Sequence, residues 1–459
     1  MEGRLRALHT PGSWQRRLAR ALPAGLALAS LCLGAGNSRA QDSLRVRGEV
    51  GLTSDYTNQV YFEQTFDSTA VTGRVSVQDP RARLVAEALG RVFGARGAWS
   101  FDVSNLLGAG PTVLRDAASA AATARLSDTF RARAEGAFDT RRDDTFDTRR
   151  QDRRAAGGAS VLWASPDRAS GARLFGRVEG LRSAAGTLAL FPDYDYRQAG
   201  VEFDRFGLLG HVSALYAFGA RAFPDTSSRN YRDHQFSLDG RWRVSDPVRL
   251  ELNAFGDRRI AGRDSAVGDR FSSTDSELGV IVARGERFEW GAKARVRGQV
   301  YDEPTPTFFN VWIWRYALVA RKLPEPLSRL ELRPEIEMLR TPRFGGVPAG
   351  TSPEDLAAVA NEEYDQLGLT AEAERMGGGA WWWGTLAVGH RRYLDDGQDV
   401  ESLSARSSFW FVEGSGYAER RLTGTVRMRA TFDLRFESHR VPADDLTSLD
   451  LTLDLRVRL

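Results

Sequence analysis

Apolar and polar residues alternate with a period of two along most of the chain from residue 43 onward. The last segment shows the pattern most clearly, with Leu451, Leu453, Leu455, Val457 and Leu459 alternating with Thr452, Asp454, Arg456 and Arg458. Similar rows occur at 44–50, 248–254, 292–300, 330–338 and 426–436. Successive side chains of a strand point to opposite faces, so this pattern predicts β-strands with one apolar and one polar face.

The length of these segments indicates what covers their apolar faces. They run for about 10–15 residues, whereas strands of globular proteins usually have about 5–6. About 9–11 residues are needed to cross a bilayer at a tilt. The sequence contains no second class of segment that would cover so many apolar faces, so lipid is the predicted partner. A sheet exposed to lipid must close on itself, because an open edge would leave backbone groups unpaired.

The connections between the predicted strands alternate between short and long. Short links are predicted near Gly94-Ala95, Ser127-Asp128, Ser245-Asp246, Arg284-Gly285, Leu323–Pro326, Gly377-Gly378 and Gly414–Gly416. Longer polar links are predicted near 55–81, 106–115, 141–152, 184–193, 223–229, 262–272, 302–307, 341–361, 394–401 and 437–445. This alternation is typical of membrane barrels with short periplasmic turns and longer extracellular loops. We therefore predict an all-β fold: one transmembrane antiparallel up-and-down barrel of about 20 strands (18–22), with both termini in the periplasm.

Some segments are compatible with more than one local structure. Pro80 to Phe93 and Ala117–Ala124 have helical features, but the alternation of links favours strands in both. Pro334 falls inside a predicted strand, where it removes one backbone donor. A helix beginning after Ser352 is predicted within the 341–361 loop.

The first 40 residues have the features of a signal peptide. Arg4, Arg6, Arg16, Arg17 and Arg20 precede an apolar run from Ala21 to Gly36, and Ser38-Arg39-Ala40 is a small-x-small cleavage site. We expect a signal peptide at 1–40 and the barrel at 41–459. The segment holds six of the 63 basic residues and one of the 60 acidic ones, so the remainder has a net charge of −2. A nucleic-acid partner is therefore not expected. The only cysteine, Cys32, leaves with this segment.

The signal peptide, the strand rows and the C-terminal segment together resemble the outer-membrane β-barrel superfamily of Gram-negative bacteria, with the size of a porin. The resemblance covers about 42–459. It implies location in the cell outer membrane, contact with outer-membrane lipid and lipopolysaccharide, and insertion by the barrel assembly machinery. In that superfamily the last strand carries an assembly signal that ends in an aromatic residue, whereas this chain ends in Leu459. The resemblance is to the superfamily only, so no site residues carry over.

Tryptophans are candidates for the aromatic girdles at the two membrane interfaces. Trp381, Trp382 and Trp383 follow a predicted turn, and Trp312 and Trp314 share one face of another predicted strand with Tyr316. Trp290 and Trp410 lie near predicted strand ends. Indole rings favour the headgroup level of a membrane. Because consecutive residues of a strand alternate faces, at least one of Trp381–Trp383 must point inward, where a sugar-stacking platform is the alternative.

Charged residues on the polar faces are the candidate lumen charges. They are Arg241, Arg243, Arg295, Arg297, Arg427, Arg429, Asp433, Arg435, Asp454, Arg456 and Arg458. Glu331, Glu335 and Glu337 occur among them along the chain. Two interpretations stay open: a solvated wall whose opposite charges pair across strands, or a constriction that steers anions. The chain has only two lysines, so genome composition also explains part of the arginine excess.

Enzymatic and metal-binding patterns are sparse. The histidines after the signal segment, His211, His234, His390 and His439, are far apart, and the sequence lacks G-x-S-x-G, H-E-x-x-H and C-x-x-C motifs. We expect no enzyme and no cofactor, although an active site assembled from separate strands would escape this test. Asp395, Asp396, Asp399 and Glu401 are a possible calcium site, but their spacing favours a solvated acidic loop tip.

Three functions fit these expectations. The favoured one is a porin-like channel or transporter whose Arg-rich lumen passes small or anionic solutes without chemistry. The alternatives are the outer-membrane outlet of a polysaccharide export system, with the partners such a system requires, and a structural or adhesive barrel with a plugged lumen. No plug domain is expected, because the strand pattern begins within a few residues of the predicted mature N-terminus.

Overall fold

A computed structural model describes most of the chain after residue 42, in twelve segments. The described residues are 43–64, 70–94, 97–109, 113–143, 150–183, 193–262, 270–304, 308–323, 327–341, 363–394, 407–440 and 445–458. Side chains are described from Asp116 onward within these ranges, except at 143, 150 and 458. The side chains of residues 43–115 are therefore not described.

The described residues form a single sheet of 20 strands. The first ten strands are β1 (Ser43–Gln64), β2 (Ala70–Gly94), β3 (Gly97–Ala109), β4 (Val113–Arg125), β5 (Phe130–Asp143), β6 (Arg150–Ala164), β7 (Ser170–Ser183), β8 (Tyr194–Gly207), β9 (Gly210–Ala222) and β10 (Tyr231–Arg243). The others are β11 (Val248–Ala261), β12 (Phe271–Arg284), β13 (Phe288–Tyr301), β14 (Val311–Lys322), β15 (Ser328–Arg340), β16 (Tyr364–Gly377), β17 (Ala380–Tyr393), β18 (Phe409–Arg421), β19 (Val426–His439) and β20 (Leu446–Arg458). A short 3₁₀ turn at Ser227–Arg229 lies between β9 and β10.

The sheet closes into an up-and-down barrel. Each strand pairs in antiparallel fashion with its neighbour in sequence, and β1 also pairs with β20. In that closing pair Leu52 lies opposite Leu455 and Thr53 lies opposite Asp454. Closure leaves no strand edge without a partner, which is the condition for a sheet in lipid. The predicted single all-β antiparallel barrel is therefore confirmed.

The connections alternate in length as the sequence predicts. At one end of the barrel, β8 and β9 are joined by two residues, 208–209, and β16 and β17 by 378–379. At the other end, 184–193 joins β7 to β8 and 341–363 joins β15 to β16. We call these the short-turn end and the long-loop end. The strand assignments for Pro80 to Phe93 and Ala117–Ala124 are confirmed, and Pro334 lies within β15 opposite Leu369.

Several predicted connections are wrong in position. The link predicted at 55–81 is confined to 65–69, because β1 and β2 continue their pairing from Asp55↔Asp79 as far as Gln64↔Ala70. The short turn predicted at Gly414–Gly416 is instead part of β18, and the chain turns at 422–425. Short turns at 165–169 and 208–209 were not predicted. The predicted signal peptide, the helix after Ser352 and the acidic cluster at Asp395–Glu401 lie outside the described residues.

Gly416 of β18 looks like part of a turn in the sequence, but in the structure it has a packing role. A Cβ atom added at Gly416 would lie 2.4 Å from the ring of Phe432, the residue directly opposite on β19. Gly416 thus makes room for an aromatic ring to lie across the neighbouring strand. The sequence pattern does not distinguish a glycine used in this way from one used in a turn.

This packing gives a matched test at two paired positions. Gly416→Ala is expected to lower the free energy of unfolding by about 1–3 kcal/mol, because the new methyl group would overlap the Phe432 ring. Gly384→Ala, opposite Gly416 on β17, is the control, since its nearest neighbour would be the Ser415 carbonyl oxygen at 3.6 Å. Urea unfolding in lipid vesicles, followed by gel mobility, measures both. Equal midpoints for the two variants would contradict this account.

Candidate functional site: the lumenal wall

The two faces of the sheet differ in chemistry. On β16, Leu367, Leu369, Ala371 and Ala373 point outward and form an apolar band. The outward residues at its two ends are Asp365 and Arg375. Ten residues span about 25 Å along the barrel axis, from a rise of roughly 3.3 Å per residue and a tilt of about 40°. That length equals the apolar band of a membrane barrel. Among the described residues, no helix is long and apolar enough to cross a membrane.

The outer surface holds part of the predicted tryptophan girdle. Trp312 and Trp314 lie on the outer face of β14 with Tyr316, and their rings stack at 6.2 Å between centroids. Trp290 and Trp410 also point outward, and Trp410 is 66% exposed. Trp382 is outward and lies opposite Ala418. Trp381 and Trp383 alternate with it and face the lumen, where Trp381 contacts Tyr417 and donates a hydrogen bond from Nε1 to Glu374.

The inner face carries the charged residues. Apart from Arg458, whose side chain lies outside the described residues, the candidate lumen charges alternate out of phase with the outward leucines, phenylalanines and tryptophans of their strands. Contacts that skip a strand confirm which side is concave: Arg249 of β11 reaches Glu289 of β13, with Nη1 3.2 Å from Oε1. Tyr196 of β8 similarly donates a hydrogen bond to Asp233 of β10 at 3.1 Å.

Most candidate arginines form ion pairs with carboxylates of the same wall. Arg295 Nε donates to Asp275 at 2.7 Å, and Arg297 Nε donates to the same carboxylate at 3.1 Å. Arg429 donates to Glu419 at 2.6 Å, and Arg427 lies 3.6 Å from it. Arg435 donates to Glu437, and Arg456 donates to Asp454 at 2.6 Å. The Asp275 and Glu419 pairs join neighbouring strands, as the first interpretation expects, whereas the Arg435–Glu437 and Arg456–Asp454 pairs each lie within one strand.

The densest of these networks lies on β13, β14 and β15. The Arg321 side chain is 12% exposed and donates from Nε to Glu331 at 2.9 Å and from Nη1 to Glu289 at 2.7 Å. Glu331, which is 3% exposed, also lies 3.6 Å from Arg333. Alternating arginine and glutamate side chains therefore tie three strands together inside the barrel.

A second class of lumenal arginine stacks on aromatic rings. The Arg221 guanidinium lies 4.3 Å from the Tyr194 ring centroid and 5.1 Å from that of Tyr196. Arg259 lies 4.2 Å from the Tyr231 ring and 4.7 Å from Phe271. These aromatic residues lie at or near strand ends next to the long loops. We call this set the mouth cluster: Tyr194, Tyr196, Arg221, Tyr231, Arg259 and Phe271.

The same arrangement recurs on β16–β18 at the long-loop end. Arg391 lies 4.1 Å from the Tyr364 ring and 5.3 Å from Phe409, and its Nε donates to Gln366 at 2.9 Å. Among the described residues, no carboxylate forms an ion pair with Arg221, Arg259 or Arg391. These three guanidiniums stack on aromatic rings instead of forming ion pairs. The carboxylates of Asp257 and Glu337 interact with Arg259 and Arg391, respectively, over longer distances.

A glycine makes the mouth cluster possible. A Cβ atom at Gly219 would lie 2.3 Å from Asp233 Oδ1 and 2.5 Å from the Tyr196 hydroxyl. The absence of a side chain lets the Tyr196–Asp233 hydrogen bond pass over β9. The ring of Tyr196 is thereby held beside Arg221.

The three stacked arginines were not among the sequence-predicted candidates. The alternation of polar and apolar residues pointed to arginines such as Arg427 and Arg429, which pair with carboxylates of the wall. A signal for the others was present, because tyrosines begin or end several strands beside long loops: Tyr194, Tyr231, Tyr301, Tyr364 and Tyr393. Arg241, Arg243 and Asp433 are lumenal and have no ion pair among the described residues, while the Arg458 side chain lies outside them.

The assignment of the two faces gives a labelling prediction. Asp433→Cys places a thiol on the lumenal face, and Phe432→Cys places one on the outer face of the same strand. Cys32, the only cysteine of the sequence, lies in the predicted signal peptide, so each variant would carry one thiol. In lipid vesicles, a charged, membrane-impermeant thiol reagent is expected to label Asp433→Cys much faster, because lipid covers the other position. Equal rates would contradict the assignment.

Outside the membrane-crossing segments, one carboxylate forms a two-bond ion pair at the long-loop end, on the outer face of the barrel. Arg258 donates two hydrogen bonds to Asp302 at 2.6 and 2.7 Å, and this contact holds the pKa of the Asp302 carboxyl below its usual range. The described residues contain no group of three or more His, Cys, Asp or Glu side chains arranged to hold a metal ion.

Solved structures share this architecture. The siderophore receptor PirA from Acinetobacter baumannii matches with a TM-score of 0.53 and 7% identity, over 91% of this chain and 81% of that one. The ferric enterobactin receptor PfeA matches with a TM-score of 0.53 and 9% identity, over 92% and 82%. OpdL from Pseudomonas aeruginosa has a TM-score of 0.46 and 13% identity, over 90% and 99%. No protein-family model and no curated protein matches the sequence.

The chain has the fold of an outer-membrane β-barrel. At these identities the likeness concerns the fold alone. The resemblance to the outer-membrane barrel superfamily, inferred from strand rows and the last strand, is confirmed at that level.

Proposed function

We propose that the protein is a porin-like channel of the outer membrane through which small anionic solutes pass without chemistry. The observation that carries this proposal is the presence of Arg221, Arg259 and Arg391 on the lumenal wall at the long-loop end, stacked on aromatic rings and without ion pairs among the described residues. A positive potential at one end of a water-filled passage raises the local concentration of anions. The carboxylate-paired arginines elsewhere on the wall contribute much less net field.

The proposed orientation places the short turns in the periplasm and the long loops outside the cell. Exposed arginines at outward positions of the long-loop end support lipid contact there: Arg153, Arg197, Arg232 and Arg392. Their guanidiniums suit the phosphate groups of lipopolysaccharide. Insertion by the barrel assembly machinery is part of the same proposal, and both termini would then be periplasmic.

Planar-bilayer recording of the purified protein tests the proposal directly. Discrete single-channel steps are expected, and in a potassium chloride gradient the reversal potential should move toward the chloride equilibrium potential. Absence of steps in every salt would contradict an open channel. Steps with a reversal potential near that of potassium would contradict anion preference while leaving the channel itself supported.

A further inference from the structure

The fold brings together a serine, a histidine and a glutamate that are separated in sequence. Glu437 and His439 are on the lumenal face at the end of β19, and Ser407 lies just before β18. Ser407 Oγ is 3.0 Å from His439 Nδ1, and His439 Nε2 is 3.1 Å from Glu437 Oε2. Hydroxyl, imidazole and carboxylate therefore form one continuous chain of hydrogen bonds.

The direction of proton donation follows from the carboxylate. An ionised Glu437 only accepts, so Nε2 of a neutral imidazole carries the proton and donates it to Oε2. Nδ1 then has a free lone pair and accepts the hydroxyl proton of Ser407. A base within hydrogen-bond reach of a hydroxyl, and itself oriented by a third group, is the arrangement that activates a serine nucleophile.

Surrounding contacts hold the imidazole and the carboxylate in place. Arg435 donates two hydrogen bonds to Glu437 Oε1 at 2.8 and 2.5 Å. The Phe409 ring stacks on the imidazole at 4.4 Å between centroids. The backbone N–H of His439 donates to Asp445 Oδ1 at 2.6 Å. The base is thus positioned before any substrate arrives, which reduces the reorganisation that a reaction would require.

A purely structural role would use the same side chains differently. The Ser407 carbonyl oxygen lies 3.3 Å from Nδ1, so a doubly protonated imidazole would bridge this carbonyl to Glu437 and fasten the start of β18 to the end of β19. In that arrangement Nδ1 would have no lone pair for the hydroxyl, and Ser407 would be no more reactive than other serines. Reactivity of the hydroxyl therefore separates the two roles.

We propose that Ser407, His439 and Glu437 form a hydrolytic site for carboxylic esters on the lumenal wall, an activity beyond the proposed transport function. The Ser407 oxygen bonds to the ester carbonyl carbon while His439 Nδ1 takes the hydroxyl proton. The ester C–O bond then breaks, and the imidazole returns the proton to the leaving alcohol. Water, deprotonated by the same imidazole, releases the acyl group as a carboxylic acid and restores the serine. Ser407 and His439 are the catalytic residues, and Glu437 is a positioning residue.

The test uses the folded full-length barrel in detergent, with heat-modifiable gel migration as the check of folding. Hydrolysis of p-nitrophenyl butyrate is expected, together with covalent labelling of Ser407 by a fluorophosphonate, located by peptide mass spectrometry. Ser407→Ala should lower the hydrolysis rate by about 10³-fold or more and abolish labelling. Ser408→Ala is the matched control, because the neighbouring Ser408 hydroxyl instead accepts a hydrogen bond from the Tyr393 backbone N–H.

Glu437→Gln tests positioning separately from folding. Its folded form is expected to label at least about tenfold more slowly, since the imidazole would no longer be held in the reactive tautomer. The pH dependence of labelling should also change, since the carboxylate charge beside the imidazole is lost. Absence of both hydrolysis and labelling in the folded wild-type protein would overturn the proposal and favour the structural bridge. Labelling at Ser408 or elsewhere, or full activity in Ser407→Ala, would overturn it as well. Bilayer recordings are independent of all these outcomes.

Discussion

Glu331→Ala is expected to lower the free energy of unfolding of the barrel by about 3 kcal/mol, at the lower end of the range for breaking a buried ion pair. Glu331 is 3% exposed and accepts hydrogen bonds from Arg321, whose side chain is 12% exposed. Removing the Glu331 carboxylate would leave the Arg321 guanidinium with less compensating negative charge in a poorly hydrated part of the wall. Arg321 would keep its 2.7 Å contact with Glu289, so the loss should not reach the upper end of that range.

The control for Glu331→Ala is Glu413→Ala, which removes a more exposed carboxylate of the same wall. Glu413 is 51% exposed and lies 3.7 Å from Arg435, which also contacts Glu437. Glu413→Ala should change stability by no more than about 0.5–1 kcal/mol, as for an exposed ion pair. Unfolding by urea in lipid vesicles measures both. A similar loss for the two variants would show that burial does not determine the strength of these pairs.

The strand pattern predicted the barrel because lipid imposes one chemistry on every outward position. Leu451, Leu453 and Leu455 alternate with the polar residues Thr452 and Asp454 regardless of which strand lies beside them. The connection predicted at Gly414–Gly416 failed because a glycine opposite Phe432 and a glycine in a turn have the same sequence signature. Periodicity therefore identifies a strand more reliably than it identifies the strand's end.

The candidate site was predictable only in part for a related reason. Alternation determines that Arg295 points inward, but its partner, Asp275, depends on the register between β12 and β13. The Ser407–His439–Glu437 chain likewise depends on the pairing of β18 with β19, in which Phe409 lies opposite His439. Contacts between strands are set by register, and one sequence does not specify it to a single residue.

The stacked arginines give the second large expected effect. The triple variant Arg221→Gln, Arg259→Gln and Arg391→Gln should reduce the anion preference of the channel. At about 8 Å in water, one charge changes the energy of a permeating ion by about 0.5 kcal/mol, which corresponds to about twofold in local concentration. Three charges would then lower the ratio of anion to cation permeability by several-fold. The reversal potential in a potassium chloride gradient measures this ratio.

The control must remove charges from the wall without changing its net charge. Arg429→Gln combined with Glu419→Gln does so, because Arg429 donates to Glu419 at 2.6 Å. That double variant is expected to leave the permeability ratio near its wild-type value, since a closely paired charge contributes little field at a distance. If the two sets of substitutions shifted the reversal potential equally, selectivity would arise from the whole wall. If only the triple variant shifted it, the charges that select anions would be the three guanidiniums that stack on aromatic rings and form no ion pair among the described residues.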